Sequence, residues 1–282
     1  MQDLSQWPAE QRRTVNGAFT DIDDTLTTDG AITPDALQAL ADLKAAGLHV
    51  IAITGRPVGW SEPFALQWPV DAIVAENGSV ALARAALAIE GSMHSRLLGS
   101  WERHGMLLKL YQQDAAMRAA NLGRMQHVAA RVLREVAGAQ MAQDSPGRET
   151  DIAVDHSEFA HLPPALIAQA EATMHSEGMN ASVSSIHING WYGAHNKLEG
   201  ARWIVRELLG FALDSQIERW VYVGDSTNDQ TMFEHFPNSV GVANIRRFES
   251  ELSHKPRYIT RGERGAGFAE VAKAILTARR DT

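Results

Sequence analysis

Three short stretches carry residue types whose spacing suits phosphate chemistry. The first is Asp21-Ile22-Asp23-Asp24-Thr25-Leu26. Carboxylates two apart at a strand end reach one small site if the chain turns between them. One ionised carboxylate can attack phosphorus, while crowding by like charge keeps its neighbour protonated to serve as acid and then as base. A solvated turn or a helix cap would use the same residues. A calcium loop fits poorly, because Leu26 stands where that loop needs glycine. The second stretch is Ile53-Thr54-Gly55-Arg56-Pro57. A hydroxyl and adjacent backbone N–H groups after an apolar run make a phosphate cradle, and also an ordinary turn. The third is Gly224-Asp225-Ser226-Thr227-Asn228-Asp229. Its two carboxylates and amide suit a hard cation such as magnesium, and equally a helix N-cap. Lys197 lies between the second and third stretches and opens a helical pattern.

The elements that must position these residues are legible around them. Ala18, Phe19, Thr20 and Ile22 read as a short strand delivering the aspartates at its end. Thr33 as N-cap and Pro34 at the first helical position predict a helix. Its apolar face is Leu37, Leu40, Ala41 and Leu43, with Gly47 as terminator. Leu48 to Ile53 is apolar except for His49, as in a strand buried on both faces. Strand, helix and strand in this order predict a parallel βαβ unit. Ala72 to Ala75 adds a third strand.

The pattern returns near the end of the sequence. A helix is predicted over Lys197 to Leu209, stopped by Gly210. A strand at Trp220 to Val223 runs into Gly224-Asp225-Ser226. Ser239 to Val242 gives a further strand and Gly267 to Ala278 a last helix. Polar residues just past the carboxyl ends of strands are where open α/β sheets take their ligands. The middle is different. Asp151 to Asp155 and Ala181 to Ile188 alternate apolar with polar, and helical patterns run around Ala115 to Val136 and Pro164 to His175. This predicts an antiparallel sheet backed by helices. The expected architecture is α/β, with a Rossmann-like parallel-sheet core from residues 1–80 and 193–282. An α+β domain is inserted over residues 81–192.

Composition narrows the function classes. The chain has 282 residues, 45% of them hydrophobic and 21% charged, which is ordinary globular composition. It has no cysteine, which removes disulfides, thiolate metal sites and cysteine nucleophiles, and fits a reducing, cytoplasmic setting. Met1 to Gly17 holds no apolar stretch of signal-peptide length, and no run approaches the roughly 18 apolar residues of a membrane span. A net charge of −8 argues against a nucleic-acid partner. An acidic protein that handles phosphate needs a local device, such as a bound cation, to overcome repulsion.

In order, Asp-x-Asp-x-Thr at 21–25, Thr-Gly-Arg at 54–56, Lys197 and Gly-Asp-x-x-Asn-Asp at 224–229 resemble the four motifs of the haloacid dehalogenase superfamily. Glu76-Asn77-Gly78 is similar to a turn in its Cof-type and sucrose-phosphatase-like branch. The resemblance implies that Asp21 is the nucleophile and Asp23 the general acid and base. It implies that Thr54, with Gly55 and Arg56, binds the transferring phosphoryl group, and that Lys197 neutralises its charge and holds Asp21. Mg2+ would be held by Asp21, Asp225 and the Asp23 backbone carbonyl, with Asp229 orienting Lys197 or the metal shell. Asn77 and Asn228 are further candidate substrate contacts.

Asp23 and Thr54 are too close in sequence to admit an inserted domain, whereas Asn77 and Lys197 are far enough apart. In this family that arrangement resembles the second cap type, which covers the site and selects a leaving group. Ser145-Pro146-Gly147-Arg148 is similar to a stretch in eukaryotic phosphomannomutases, though one residue shorter. It makes Arg148 a candidate ligand for an anionic or hydroxylated leaving group, or else a solvated turn arginine. Asn189, Trp191 and Tyr192 are candidates for the cap face. His187 and His195 fall near the site and are assigned no role. The expected function is hydrolysis of a small phosphate ester, such as a sugar phosphate, through an aspartyl-phosphate. A phosphosugar mutase and a non-catalytic phosphate binder are the alternatives.

Overall fold

The computed structural model describes residues 1–85 and 102–280. The chain starts with strand β1 (Gln2–Asp3), helix α1 (Ala9–Arg13) and β2 (Gly17–Thr20), then a small hairpin of β3 (Thr27–Thr28) and β4 (Ala31–Ile32). Next come α2 (Pro34–Ala45), β5 (His49–Ile53), α3 (Val58–Gln67), β6 (Ala72–Ala75), β7 (Val80–Arg84), β8 (Glu102–His104) and β9 (Leu107–Tyr111). The middle holds α4 (Ala115–Glu135), β10 (Gln140–Met141), β11 (Asp151–Asp155), α5 (Pro164–Ser176), β12 (Asn180–Val183) and β13 (His187–Trp191). The chain closes with α6 (Lys197–Leu209), β14 (Trp220–Gly224), α7 (Gln230–His235), β15 (Asn238–Gly241), β16 (Tyr258–Ile259) and α8 (Arg264–Arg280).

One large sheet runs in the order β1-β16-β15-β14-β2-β5-β6-β7-β9-β8. It is parallel from β1 to β6 and antiparallel beyond. The central strands are buried on both faces, as their unbroken apolar runs predict. Ala18, Val50, Ala52, Val221 and Val223 point to one side, against Leu40 and Leu43 of α2 and Phe268, Val271 and Ile275 of α8. Phe19, Ile51, Ile53, Trp220 and Tyr222 point to the other, against Leu198, Ala201, Ile204 and Val205 of α6. The period-2 alternation of the strands therefore meets the helical faces above and below. The face of α2 is set one residue away from the expected one: Ala36, Ala39, Leu40 and Leu43 are buried, whereas Leu37 is 38% exposed. Small residues win there because α8 comes close; a Cβ added at Gly265 would stand 3.1 Å from Ala36 Cβ.

A second sheet, β10-β11-β13-β12, is wholly antiparallel and backed by α4 and α5 over its own core of Met125, Val128, Val132, Ile152, Val154, Met174 and Ile188. Two boundaries differ from expectation. The inserted segment does not leave the large sheet at residue 81, because β7 to β9 extend that sheet as antiparallel edge strands. The cause is the turn at Glu76-Asn77-Gly78. All three residues have positive φ, which reverses the chain in place and pairs β7 with β6. Residues 86–101 of the expected insert lie outside the described residues. Ala181 to Ile188, read as one alternating stretch, is two strands. The Ser184 hydroxyl accepts from the N–H groups of Ile186 and His187 and turns the chain between them. Among the described residues no helix is long and apolar enough to cross a membrane.

Candidate active site

Asp21, Thr54 and Asp225 follow β2, β5 and β14, and these three strands are neighbours at the centre of the sheet. Their parallel register brings the three carboxyl ends together; Asp21 N–H donates to Val223 O at 2.9 Å and Thr54 N–H to Val74 O at 2.9 Å. Lys197 is the first residue of α6, which is capped by the Asn196 side chain. Its ammonium lies 2.9 Å from Asp21 Oδ1 and 2.7 Å from Asp229 Oδ1, and donates to Asn228 Oδ1 at 3.3 Å. Asp229 is saturated. It also accepts from the Tyr222 hydroxyl and from the N–H groups of Asp225 and Ser226, at 2.9 and 3.1 Å.

Carboxylate oxygens of Asp21, Asp225 and Asp229 lie within 4.8 Å of one another. All three residues are buried, and Lys197 is the ammonium among them. Burial pushes Asp21 up to about 7 although Lys197 opposes it, with Asp229 and Asp23 adding to the rise. Burial and the neighbouring carboxylates push Asp225 well above its ordinary range. Asp225 Oδ2 accepts from Asn244 Nδ2 at 3.0 Å, but its Oδ1 is buried without a donor. A surplus of buried carboxylate with an orphan oxygen fits a hard divalent cation. Asp21 and Asp225 have oxygens free for it. Asp229, which belongs to the same carboxylate group, carries four hydrogen bonds and anchors Lys197 and the turn after β14.

The Thr54 loop is held from behind. Thr54 Oγ1 accepts from Arg56 N–H at 3.0 Å, and Thr54 O accepts from Asn77 N–H at 2.9 Å. Gly55 O accepts from Arg148 Nη1 at 3.0 Å and Asn189 Nδ2 at 3.2 Å. Arg148 is also bonded to Asp151 at 2.7 Å and Asp144 at 3.1 Å, and its guanidinium is buried. Asn77 Nδ2 reaches Asp151 at 3.3 Å. Arg148 and Asn77 therefore brace the loop from the seam between the sheets, and neither is among the residues lining the neighbouring cleft. Asn228 is likewise occupied, accepting from Lys197 and from the Ser226 hydroxyl.

Arg56 is the other bridge across the seam. Its Nε donates to both oxygens of Asp23, each at 3.0 Å. Its Nη atoms reach Asp144 at 3.2 Å and Glu158 at 2.7 Å. His187 Nε2 meets Glu158 from the far side at 2.9 Å. His195 has burial pushing its pKa down to about 4 and stacks on Trp191, away from these groups. A cleft of about 330 Å3 opens beside Asp23, between the first motif and the loop after β11.

Sequence reasoning missed Asn244, Tyr222, Glu158 and Arg264. Tyr222 was findable in principle, since it stands two residues before Gly224 on the buried strand. Asn244 and Arg264 follow β15 and β16, whose ends also face the site. Glu158 had no local signal.

A profile of haloacid dehalogenase-like hydrolases matches residues 18–96. No curated protein matches the chain by sequence. Solved structures share its fold at low identity. A protein of Thermoplasma acidophilum superposes with a TM-score of 0.63 at 15% identity, over 93% of this chain and 98% of that one. The sucrose-phosphatase of Synechocystis sp. PCC6803, in complex with sucrose and phosphate, gives 0.61 at 15% identity, over 94% and 98%. A subclass IIB sugar phosphatase gives 0.59 at 14% identity, over 93% and 98%.

Proposed function

For a chain that is haloacid dehalogenase-like in its motifs and in its fold, we propose magnesium-dependent hydrolysis of a small phosphomonoester through an aspartyl-phosphate on Asp21. The observation that carries this reading is the buried set of Asp21, Lys197 and Asp225 at the carboxyl ends of adjacent strands, with one Asp225 oxygen unmatched. Asp21, held by Lys197, attacks phosphorus. The ester P–O bond breaks, and Asp23 gives its proton to the departing oxygen. Asp23 then takes a proton from water, which attacks the same phosphorus, releases inorganic phosphate and returns Asp21. Thr54 and the backbone of its loop bind the phosphoryl oxygens, with Lys197 offsetting their charge. When bound at Asp21 and Asp225, magnesium supplies further positive charge to those oxygens. Arg56 orients Asp23, and Asp229 orients Lys197.

Phosphate release from a set of sugar, polyol and aryl phosphates, with magnesium and then with a chelator, tests this reading. Release that depends on magnesium, with rapid-quench label on Asp21, is the expected outcome. Full turnover in chelator, or label on another residue, would sink it. The residues 112–192 that carry the second sheet fit a cap that selects the leaving group.

A further inference from the structure

We infer that the cleft beside Asp23 takes a polyhydroxylated leaving group and turns away one bearing a second anionic group. The inference rests on the phosphatase reading, because an alcohol that receives its proton from Asp23 must occupy the space Asp23 lines. At about 330 Å3 that space falls in the range of small-ligand sites.

Charge decides what can fill it. Asp23, Asp24, Asp29 and Glu158 line the cleft against Arg56 and Arg264. Both guanidiniums already face carboxylates. Arg56 is shared among Asp23, Asp144 and Glu158. Arg264 lies 2.9 Å from Asp24 and 3.5 Å from Asp29. Arg148, the other arginine of the seam, is buried in its pairs with Asp144 and Asp151. Among the described residues lining the cleft, each cation has a carboxylate partner, and carboxylates outnumber cations even with Asp23 protonated as the acid. A second phosphate or a carboxylate on the substrate meets net repulsion there. Hydroxyl groups meet the reverse, since each carboxylate oxygen is a good acceptor.

The loop after β11 supplies the second argument. Asp155 is buried, and its carboxylate accepts from the N–H groups of Glu158, Phe159 and Ala160 at 2.9, 2.9 and 3.1 Å. Three bonds to one buried carboxylate fix the loop and present Glu158 and Phe159 together at the cleft. Phe159 is 61% exposed and lines the cleft beside Glu158. An aromatic face beside an acceptor fits a ring that has an apolar C–H face and a hydroxyl edge. The same surplus of negative charge disfavours a bisphosphate, the activator a mutase would need.

Matched substrates test the inference: a hexose monophosphate, the same hexose with a second phosphate, and the corresponding phosphorylated sugar acid, with p-nitrophenyl phosphate as reference. The expected result is a kcat/KM at least roughly tenfold higher for the plain hexose phosphate, the loss about two uncompensated charges cause at ~6 Å in water. Asp29→Asn, at a rim side chain that is 88% exposed, should shrink that preference about threefold. Phe159→Ala should raise KM for the hexose phosphate severalfold and change kcat less. Equal or faster release from the doubly anionic substrates would overturn the inference. So would hydrolysis of the aryl ester with none of any hexose phosphate. No release from any ester would remove the phosphatase reading, and this inference with it.

Discussion

The two ion clusters of the site are built from the same residue types and balanced in opposite ways. Around Lys197 lie three buried aspartates; its ammonium pairs with Asp21 and Asp229, and an oxygen of Asp225 is left without a donor. Across the seam, Arg56 and Arg148 meet Asp23, Asp144, Asp151 and Glu158, and their carboxylates are matched by donors. Unmatched buried charge is costly, so a fold keeps it where something else will complete it. Buried carboxylates whose oxygens all meet donors are completed by those hydrogen bonds and fix geometry. On this comparison the first cluster is the place we propose for cation and phosphate. The second sets the position of the Thr54 loop, of Asp23 and of the second sheet.

The largest expected effect breaks the first cluster. Asp21→Asn keeps the size of the side chain and removes the attacking anion, so kcat should fall at least roughly 10³-fold. Single-turnover quench should show no phosphorylated enzyme. Near-normal turnover would leave the cluster without its chemical role. The next effect breaks the second cluster. Arg148→Met leaves Asp151 buried without its ion-pair partner, which should cost about 3 kcal/mol of stability. Asp151 shows how exposed that pair is to loss, since burial already pushes its carboxyl up to about 7 against the pull of Arg148. Urea unfolding of Arg148→Met and of Arg148→Met/Asp151→Asn checks this: the double variant should recover part of the loss. If the single variant is as stable as the parent, the seam is not held by this pair.

A smaller effect sharpens the contrast. Asp225→Asn keeps volume and removes charge at the orphan oxygen. The magnesium concentration for half-maximal activity should rise at least roughly tenfold, and calorimetric titration of magnesium should weaken in parallel. Arg148→Met, by contrast, should leave magnesium affinity within about twofold. Equal shifts in both variants would mean that the two clusters act as one.

Much of the first cluster was legible because apolar strands end on it. Phe19, Ile53 and Val223 fix where Asp21, Thr54 and Asp225 emerge, and parallel register does the rest. Lys197 was legible through its helix. The second cluster was not, since Arg56 and Glu158 lie 102 positions apart and meet only through tertiary structure. The same distance hid the role of Arg148, whose local sequence suggested a ligand and whose surroundings make it a brace. The edge of the insert was misplaced for a related reason. Val80 to Arg84 is recognisable as apolar, but nothing in it names the sheet it joins; the positive φ angles at 76–78 decide that.

The smallest effect separates geometry from charge within the seam. Burial acts to raise the Glu158 carboxyl, but hydrogen bonds from His187 and Arg56 outweigh it and hold the group down to about 2. A depressed carboxyl stabilises the fold above its unfolded value, near 4.5, and loses that contribution as pH falls toward 2. Glu158→Gln removes the charge and keeps the shape. The variant should therefore be less stable than the parent by about 1 kcal/mol at pH 6, a figure reduced for partial exposure to solvent. The gap should narrow as pH drops from 5 toward 3, because the parent is then losing what the variant never had. Unfolding curves at pH 6, 4.5 and 3.5 measure it. A gap that stays constant would mean that Glu158 acts through shape and hydrogen bonding alone. A gap that widens on acidification would reverse the sign and remove Glu158 from the charge balance of the seam.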